Sequence, residues 1–342
     1  TIVTADGSIR KVNRDSPEQK DKDLYWAVLG GSPGAFGVTT QLIFHPILDK
    51  HYPYSTGWDA EIPYTPKRLE AALKICEKFI NRAKGEDALA EGEDALAEGL
   101  DMEFTFASTA SLNKLGGFHL PPSIIIELVC KDMGKDKDTK AYKQMRDIIK
   151  DVEDTVYSGN VLTKIKSMAM HMRVGAGLNG KSHYTLSEMS LKFTRKPPFM
   201  TPARENRLAY NKAGYGSKDK VTPGWSKAYA KLLDDVIKKR GGGEVYCIVQ
   251  AMVGGGAQVR NGKAKNAMSH RDAYLNNICF DLFRADDETS IRAAADYQSR
   301  FEVEVVNKHQ TAHPKVMAQW ASHGDLDMNK KQVWEKYIDN PE

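Results

Sequence analysis

Four closely spaced glycines, Gly30, Gly31, Gly34 and Gly37, are the residues of this sequence best suited to holding a ligand. Glycine admits positive φ and removes the Cβ atom that keeps other groups at a distance, and Pro33 stiffens the turn between them. Such a loop presents backbone N–H groups, and a phosphate is the natural partner of converging N–H donors. The loop is not a Walker loop, because no Lys-Ser or Lys-Thr follows the glycines, and no strand precedes it as a Rossmann fingerprint requires. Glycine spacing alone leaves a plain helix-to-strand turn as the alternative.

A second group lies toward the C-terminus. Gly254–Gly256 precede Ala267-Met268-Ser269-His270-Arg271, which lead into a β-prone run over residues 274–283. Strand alternation puts Tyr274, Asn276, Ile278 and Phe280 on one face and Leu275, Asn277, Cys279 and Asp281 on the other. The first set opens with an aromatic and an amide; an ordinary half-buried strand is the alternative to a ligand-contacting one. Tyr210 and Tyr215 are candidates for lining a pocket, with buried tyrosines whose hydroxyls are satisfied as the commoner alternative. His309 and His313 have helical spacing, yet no glutamate accompanies His309 and no third ligand is near, so no metal site is expected. His119, His171 and His183 lack a nucleophile and orienting partner, and no Gly-X-Ser-X-Gly elbow occurs, which leaves hydrolase chemistry without support.

The elements that must position these groups follow from periodicity. Ile2–Ala5 and Ile9–Val12 around Asp6-Gly7 read as a hairpin, followed by a helix over Lys22–Leu29, the glycine loop and a strand over Val38–Phe44. Helical patterns cover 66–83, 139–157, 223–240 and 287–307. Strand-like runs cover 54–62, 103–107, 124–130, 185–193, 244–252 and 274–283. Several strands separated by helices predict an α+β fold with a mainly antiparallel sheet. Residues 85–91 and 92–98 are identical heptads, Gly-Glu-Asp-Ala-Leu-Ala-Glu, read as a duplicated acidic surface insertion or an error in sequence assignment, because one repetition cannot build a solenoid.

A chain of 342 residues, 41% of them hydrophobic, is long enough for one large or two medium domains. Its formal charge of +4 is spread without a basic stripe, which argues against nucleic acid, and no apolar run approaches the length of a membrane span. Cys76, Cys130, Cys247 and Cys279 sit in apolar periodic segments and are expected as buried free thiols. With no Asn-X-Ser/Thr acceptor in the chain, this leans the expectation toward a cytoplasmic protein. Thr1, with neither an initiator Met nor a leader pattern, reads as an interior position.

The string Asp23-Leu24-Tyr25-Trp26-Ala27, Gly30-Gly31, then Gly34-Ala35-Phe36-Gly37-Val38-Thr39-Thr40 resembles the FAD-linked oxidoreductases of the berberine-bridge-enzyme-like group, within the vanillyl-alcohol-oxidase superfamily. Trp320-Ala321-Ser322-His323-Gly324-Asp325-Leu326-Asp327 is similar to that family's Tyr-X-Asn-Tyr-X-Asp-Leu-Asp element, with Ser322 where the family has a flavin-contacting asparagine. Ser32-Pro33 and Ala35 stand where the family more often has glycine and asparagine. The resemblance implies FAD as cofactor. It assigns Gly30, Gly31, Gly34, Phe36, Gly37, Val38, Thr39, Trp320 and Ser322 to cofactor binding. Because the family's corresponding strand crosses the flavin ring, it also implies that the face of Tyr274, Asn276, Ile278 and Phe280 is the substrate side, with Tyr274 and Asn276 as candidate catalytic residues.

It also implies hydride transfer from a hydroxylated small molecule, such as a sugar, alcohol or secondary metabolite, with the cofactor carrying the hard chemistry. Residues 1–50 then close a PCMH-type FAD-binding domain, 51–312 form the substrate domain and 313–342 return toward the flavin. The family's first flavin subdomain has no counterpart in this sequence and is expected from an N-terminal segment or chain. A catalytically inactive relative serving as a binding or assembly module is the alternative, favoured by Ser322.

Overall fold

The computed structural model describes residues 1–30, 36–81, 96–107, 122–156, 209–211, 214–217, 221–253, 275–310 and 317–319. The expected hairpin forms because Asp6 organises its turn. The carboxylate accepts from Thr4 Oγ1 at 2.6 Å and from the backbone N–H and hydroxyl of Ser8, each at 3.0 Å, which lowers its pKa to about 2. Gly7 supplies the positive φ of +80°. β1 (Ile2–Val3) pairs with β2 (Ile9–Arg10) on one side and β3 (Val38–Thr39) on the other, both antiparallel. Helix α1 (Gln19–Gly30) lies between β2 and β3 in sequence, and Arg10 forms an ion pair with Asp21 on it.

The strand expected over Val38–Phe44 stops at Thr39. Thr40 and Gln41 still donate their N–H groups to the Thr1 carbonyl, but no strand lies beside residues 42–48 among the described residues. A β-prone run without a ladder partner has no place for its backbone groups in a sheet, so it stays irregular. Its apolar side chains are open to solvent: Ile43 is 85% exposed, Phe44 76% and Ile47 70%.

From residue 56 onward the strands belong to a second sheet. β4 (Thr56–Pro63), β5 (Leu100–Ala107), β6 (Ser123–Cys130), β7 (Ala209–Asn211), β8 (Gly214–Ser217), β9 (Val245–Val253), β10 (Leu275–Arg284) and β11 (Met317–Gln319) join in the order β11-β8-β10-β9-β5-β6-β4, with β7 also on β10. Every pairing is antiparallel. The fold is therefore α+β, as expected. The run expected over 185–193 lies outside the described residues.

Helices α2 (Pro66–Ile80), α3 (Lys140–Asp151), α4 (Trp225–Ile237) and α5 (Glu288–Arg300) accompany this sheet, and π-helical turns over Val152–Val156 and Phe301–Gln310 extend α3 and α5. Their starts are written locally. Thr65, Thr139 and Asp287 each accept a first-turn backbone N–H, from Arg68, Tyr142 and Ser290, and Pro66 occupies the first turn of α2. Alternation then divides the sheet. Ile124, Ile126, Leu128 and Cys130 of β6, Met102, Phe104 and Phe106 of β5, and Cys247, Val249 and Ala251 of β9 enter one buried core with Leu73, Phe79, Ile148, Tyr229 and Tyr297 of the helices. Cys76, Cys130 and Cys247 are free and buried, and burial lifts the Cys130 thiol to about 11.

The repeat at 85–98 is not wholly a surface insertion. Leu96 and Ala97, at the end of its second copy, are buried in the core, and the Ala97 N–H donates to the Gln144 Oε1 atom of α3 at 2.7 Å. A Leu-Ala pair carried among acidic residues still offers enough apolar surface to dock.

Candidate functional site

The glycine loop departs from the C-terminus of α1 at Gly30; Gly31 and Gly34 lie outside the described residues. At its far end Gly37 has φ +139°, as the sequence reading anticipates. A Cβ there would lie 2.2 Å from the Val3 carbonyl oxygen and 3.0 Å from its carbon, so the close approach that requires glycine at this position is to the chain's own strand β1. Phe36 is at the border of exposure and Val38 is 68% exposed. Thr39, paired to Ile2 across the sheet, keeps its Oγ1 buried with no hydrogen-bond partner among the described residues. A buried hydroxyl left unpaired in a native fold calls for an explanation.

The second region is the face of the large sheet opposite the helices. Cross-strand register builds two rows across it. One runs Glu127–Glu103–Met252–Asn277, and the next runs Ile125–Thr105–Gln250–Cys279. Gln250 is 3% exposed, and its Nε2 donates to Glu103 Oε1, which also accepts from Thr105 Oγ1 at 3.1 Å. Two donors fix the carboxylate, and the carboxylate in turn sets which way round the amide sits. An anchored amide and carboxylate on one sheet face form a donor–acceptor set suited to hydroxyl groups. Glu103, Thr105 and Gln250 were not singled out in the sequence; the signal was polar residues at alternate positions inside strongly apolar strands.

Register also corrects the face assignment along β10. Ile278, Phe280 and Leu282 stand opposite Ala251, Val249 and Cys247, which are buried under the helices, and Leu282 is itself fully buried. By register, positions 277, 279 and 281 fall on the other face, with positions 252, 250 and 248. Asn276 belongs to neither set by simple alternation. Leu275 pairs with Val253 and Asn277 with Met252, and against β8 the partners step from Ser217 at Leu275 to Tyr215 at Ile278. Asn276 is thus the extra residue of a β-bulge felt by both neighbouring strands, a device that bends a strand and re-aims a side chain. Tyr274 precedes β10, and Trp320 and Ser322 follow β11; all three lie outside the described residues. Tyr210 and Tyr215 hold register positions in β7 and β8 opposite Phe283 and Ile278.

His309 is a packing residue in this arrangement. It is buried, its Nδ1 lies 2.7 Å from Thr222 Oγ1, and its carbonyl accepts the Thr222 N–H, which ties the end of the α5 extension to the entry of α4. Burial, aided by Lys308, lowers its pKa. Among the described residues no group of three or more His, Cys, Asp or Glu side chains could hold a metal ion. No helix among them is long and apolar enough to cross a membrane.

No family model matches this chain, and no curated protein matches it in sequence. Solved structures do match it in fold. A carbohydrate oxidase from Microdochium nivale, in complex with a substrate analogue, aligns with 99% of this chain at TM-score 0.61 and 17% identity. A BBE-like protein from Arabidopsis thaliana aligns with 99% at TM-score 0.54 and 11% identity. The glucooligosaccharide oxidase from Acremonium strictum, which carries a 6-S-cysteinyl, 8α-N1-histidyl FAD, aligns with 95% at TM-score 0.50 and 13% identity. The chain spans 59%, 60% and 57% of the lengths of these three proteins. In fold, the chain is similar over nearly its whole length to about three fifths of a BBE-like, FAD-linked oxidase.

Proposed function

We propose that this chain is the C-terminal part of an FAD-dependent oxidoreductase that oxidises a hydroxylated small molecule. The observation that carries the reading is the fold similarity, along 99% of the chain, to a carbohydrate oxidase in complex with a substrate analogue. Gly30, Gly31, Gly34, Phe36, Gly37, Val38 and Thr39 form one wall of the cofactor site, with Trp320 and Ser322 at its flavin end. The fit rests on Thr39, whose buried hydroxyl lacks a partner; Gly37 is accounted for by Val3 and adds nothing to it. FAD, when bound, supplies the hydride acceptor. Tyr274 and Asn276, just before and near the start of β10 in sequence, are the catalytic residues of this reading, and the half-buried polar pair Glu103 and Thr105, steadied by buried Gln250, faces the substrate's hydroxyls.

An N-terminal segment or chain completes the site and covers the apolar run Leu42-Ile43-Phe44, exposed here. Buried free thiols and the absence of an N-glycosylation acceptor fit a cytoplasmic setting. Anaerobic mixing of the full-length natural protein with a panel of mono- and oligosaccharides, alcohols and phenolic alcohols tests the activity. Bleaching of the oxidised flavin by at least one class is expected; an unbleached flavin across the panel contradicts an oxidase of such substrates. Ser322 in the asparagine position favours a second reading, a relative that keeps the fold as a binding module, and that protein would purify without flavin.

A further inference from the structure

Strand β1 lies between β2 and β3, and its register against β3 places Ile2 opposite Thr39 and Val3 opposite Val38. Because the pairing is antiparallel, each step back along β1 is a step forward past β3. Thr1 falls opposite Thr40, whose N–H donates to the Thr1 carbonyl at 2.9 Å, and the Thr1 nitrogen donates to the Gln41 carbonyl at 2.8 Å. Hydrogen-bonded pairs recur at every second residue of an antiparallel ladder, so the next positions due to bond on this side are Leu42 and Phe44. Alternation would set Leu42 and Phe44 on the face of Val38, and Ile43 on the face of Thr39 and buried Ile2. All three are exposed. A run that is apolar on both faces is the pattern of a strand covered on both sides, not of a solvated connection.

We propose that β1 is the end of a longer strand, and that the segment preceding Thr1 in the same chain pairs antiparallel with residues 41–44 and makes them the continuation of β3. This rests on the reading that an N-terminal segment completes the protein, and it gives that segment a place and a register. The second residue before Thr1 stands opposite Leu42, the third opposite Ile43 and the fourth opposite Phe44. The direction of the N–H groups selects this occupant. In a strand continuing from β3, Leu42 and Phe44 present their N–H groups on the side where Thr40 bonds Thr1, in line with β1. A second copy of the chain, added along an outer edge of the order β2-β1-β3, leaves both groups without a partner.

Hydrogen exchange read at single residues, in the full-length natural protein and in the 342-residue chain, tests the pairing. The Leu42 and Phe44 amides are expected to exchange at least about 100-fold more slowly in the full-length protein. Equal exchange in the two proteins overturns the proposal. Register is read by disulfide trapping in the full-length protein, with Ile43→Cys and a second cysteine at the third or at the sixth residue before Thr1. Opposed residues that do not share hydrogen bonds lie about 4.5 Å apart at Cα, within disulfide reach. A crosslink from the third residue and none from the sixth is expected; slow exchange without a crosslink from the third residue means that another strand covers residues 42–44, and overturns it. Neither readout needs flavin, so a colourless protein that passes both contradicts the oxidase reading and leaves the strand pairing standing.

Discussion

At the residue scale, two described positions at the end of the glycine loop differ: one is a residue the chain needs for itself, and the other carries an unpaired polar group that the proposed function gives to a ligand. Gly37 is the first kind. Its φ of +139° and the Val3 carbonyl 2.2 Å from any Cβ mean that Gly37→Ala forces β3 away from β1. A loss of about 2 kcal/mol or more is expected, from the unfavourable φ and the clash together, read as a lower denaturation midpoint with an unchanged m-value. Thr39 is the second kind. Thr39→Val removes an unpaired buried hydroxyl and keeps the shape, so stability is unchanged or slightly higher while affinity of the full-length protein for FAD falls severalfold. A variant with undiminished FAD affinity would free Thr39 of any cofactor role. The need for glycine at 37 was legible in the sequence, but its partner was not, because Val3 is brought there by a sheet pairing between residues far apart in the chain.

At the element scale, what was legible had local causes. Helix α2 announces itself by Thr65 at the cap, Pro66 in the first turn and an apolar stripe from Leu69 to Ile80. β6 does so through alternation of buried and half-buried positions. The inserted residue at Asn276 was not legible, since alternation counts every residue as one step and a bulge is a step without a partner. The strand over residues 40–44 was overread because β propensity says nothing of whether a neighbour exists. The clasp between His309 and Thr222 carries a pH dependence. Burial lowers the histidine pKa, so on acidification the unfolded chain takes up the proton first. The contribution is whole above the unfolded value of about 6.5 and is lost as pH falls below it. Melting curves between pH 8 and about pH 5 should show a drop that His309→Gln makes shallower; parallel curves for the two proteins would remove His309 as its source.

At the scale of the whole molecule, the α+β class and the antiparallel sheet could be read from strand and helix patterns, whereas the polar wall of Glu103, Thr105 and Gln250 could not. Glu103 and Thr105 are two residues apart on β5, but Gln250 is far from them in sequence and meets them only because β5 and β9 are neighbours in the strand order. The exposed run at Leu42–Phe44 marks the place where this chain's own packing stops. The chain spans 59% of the length of the carbohydrate oxidase it resembles in fold, and the proposal that a further segment completes the site rests on both features. The absorbance spectrum of the full-length natural protein, as purified and after addition of FAD, tests that account most directly. A bound flavin spectrum, weakened by Thr39→Val, is the expected result; a protein colourless as purified that retains no FAD on gel filtration would contradict it.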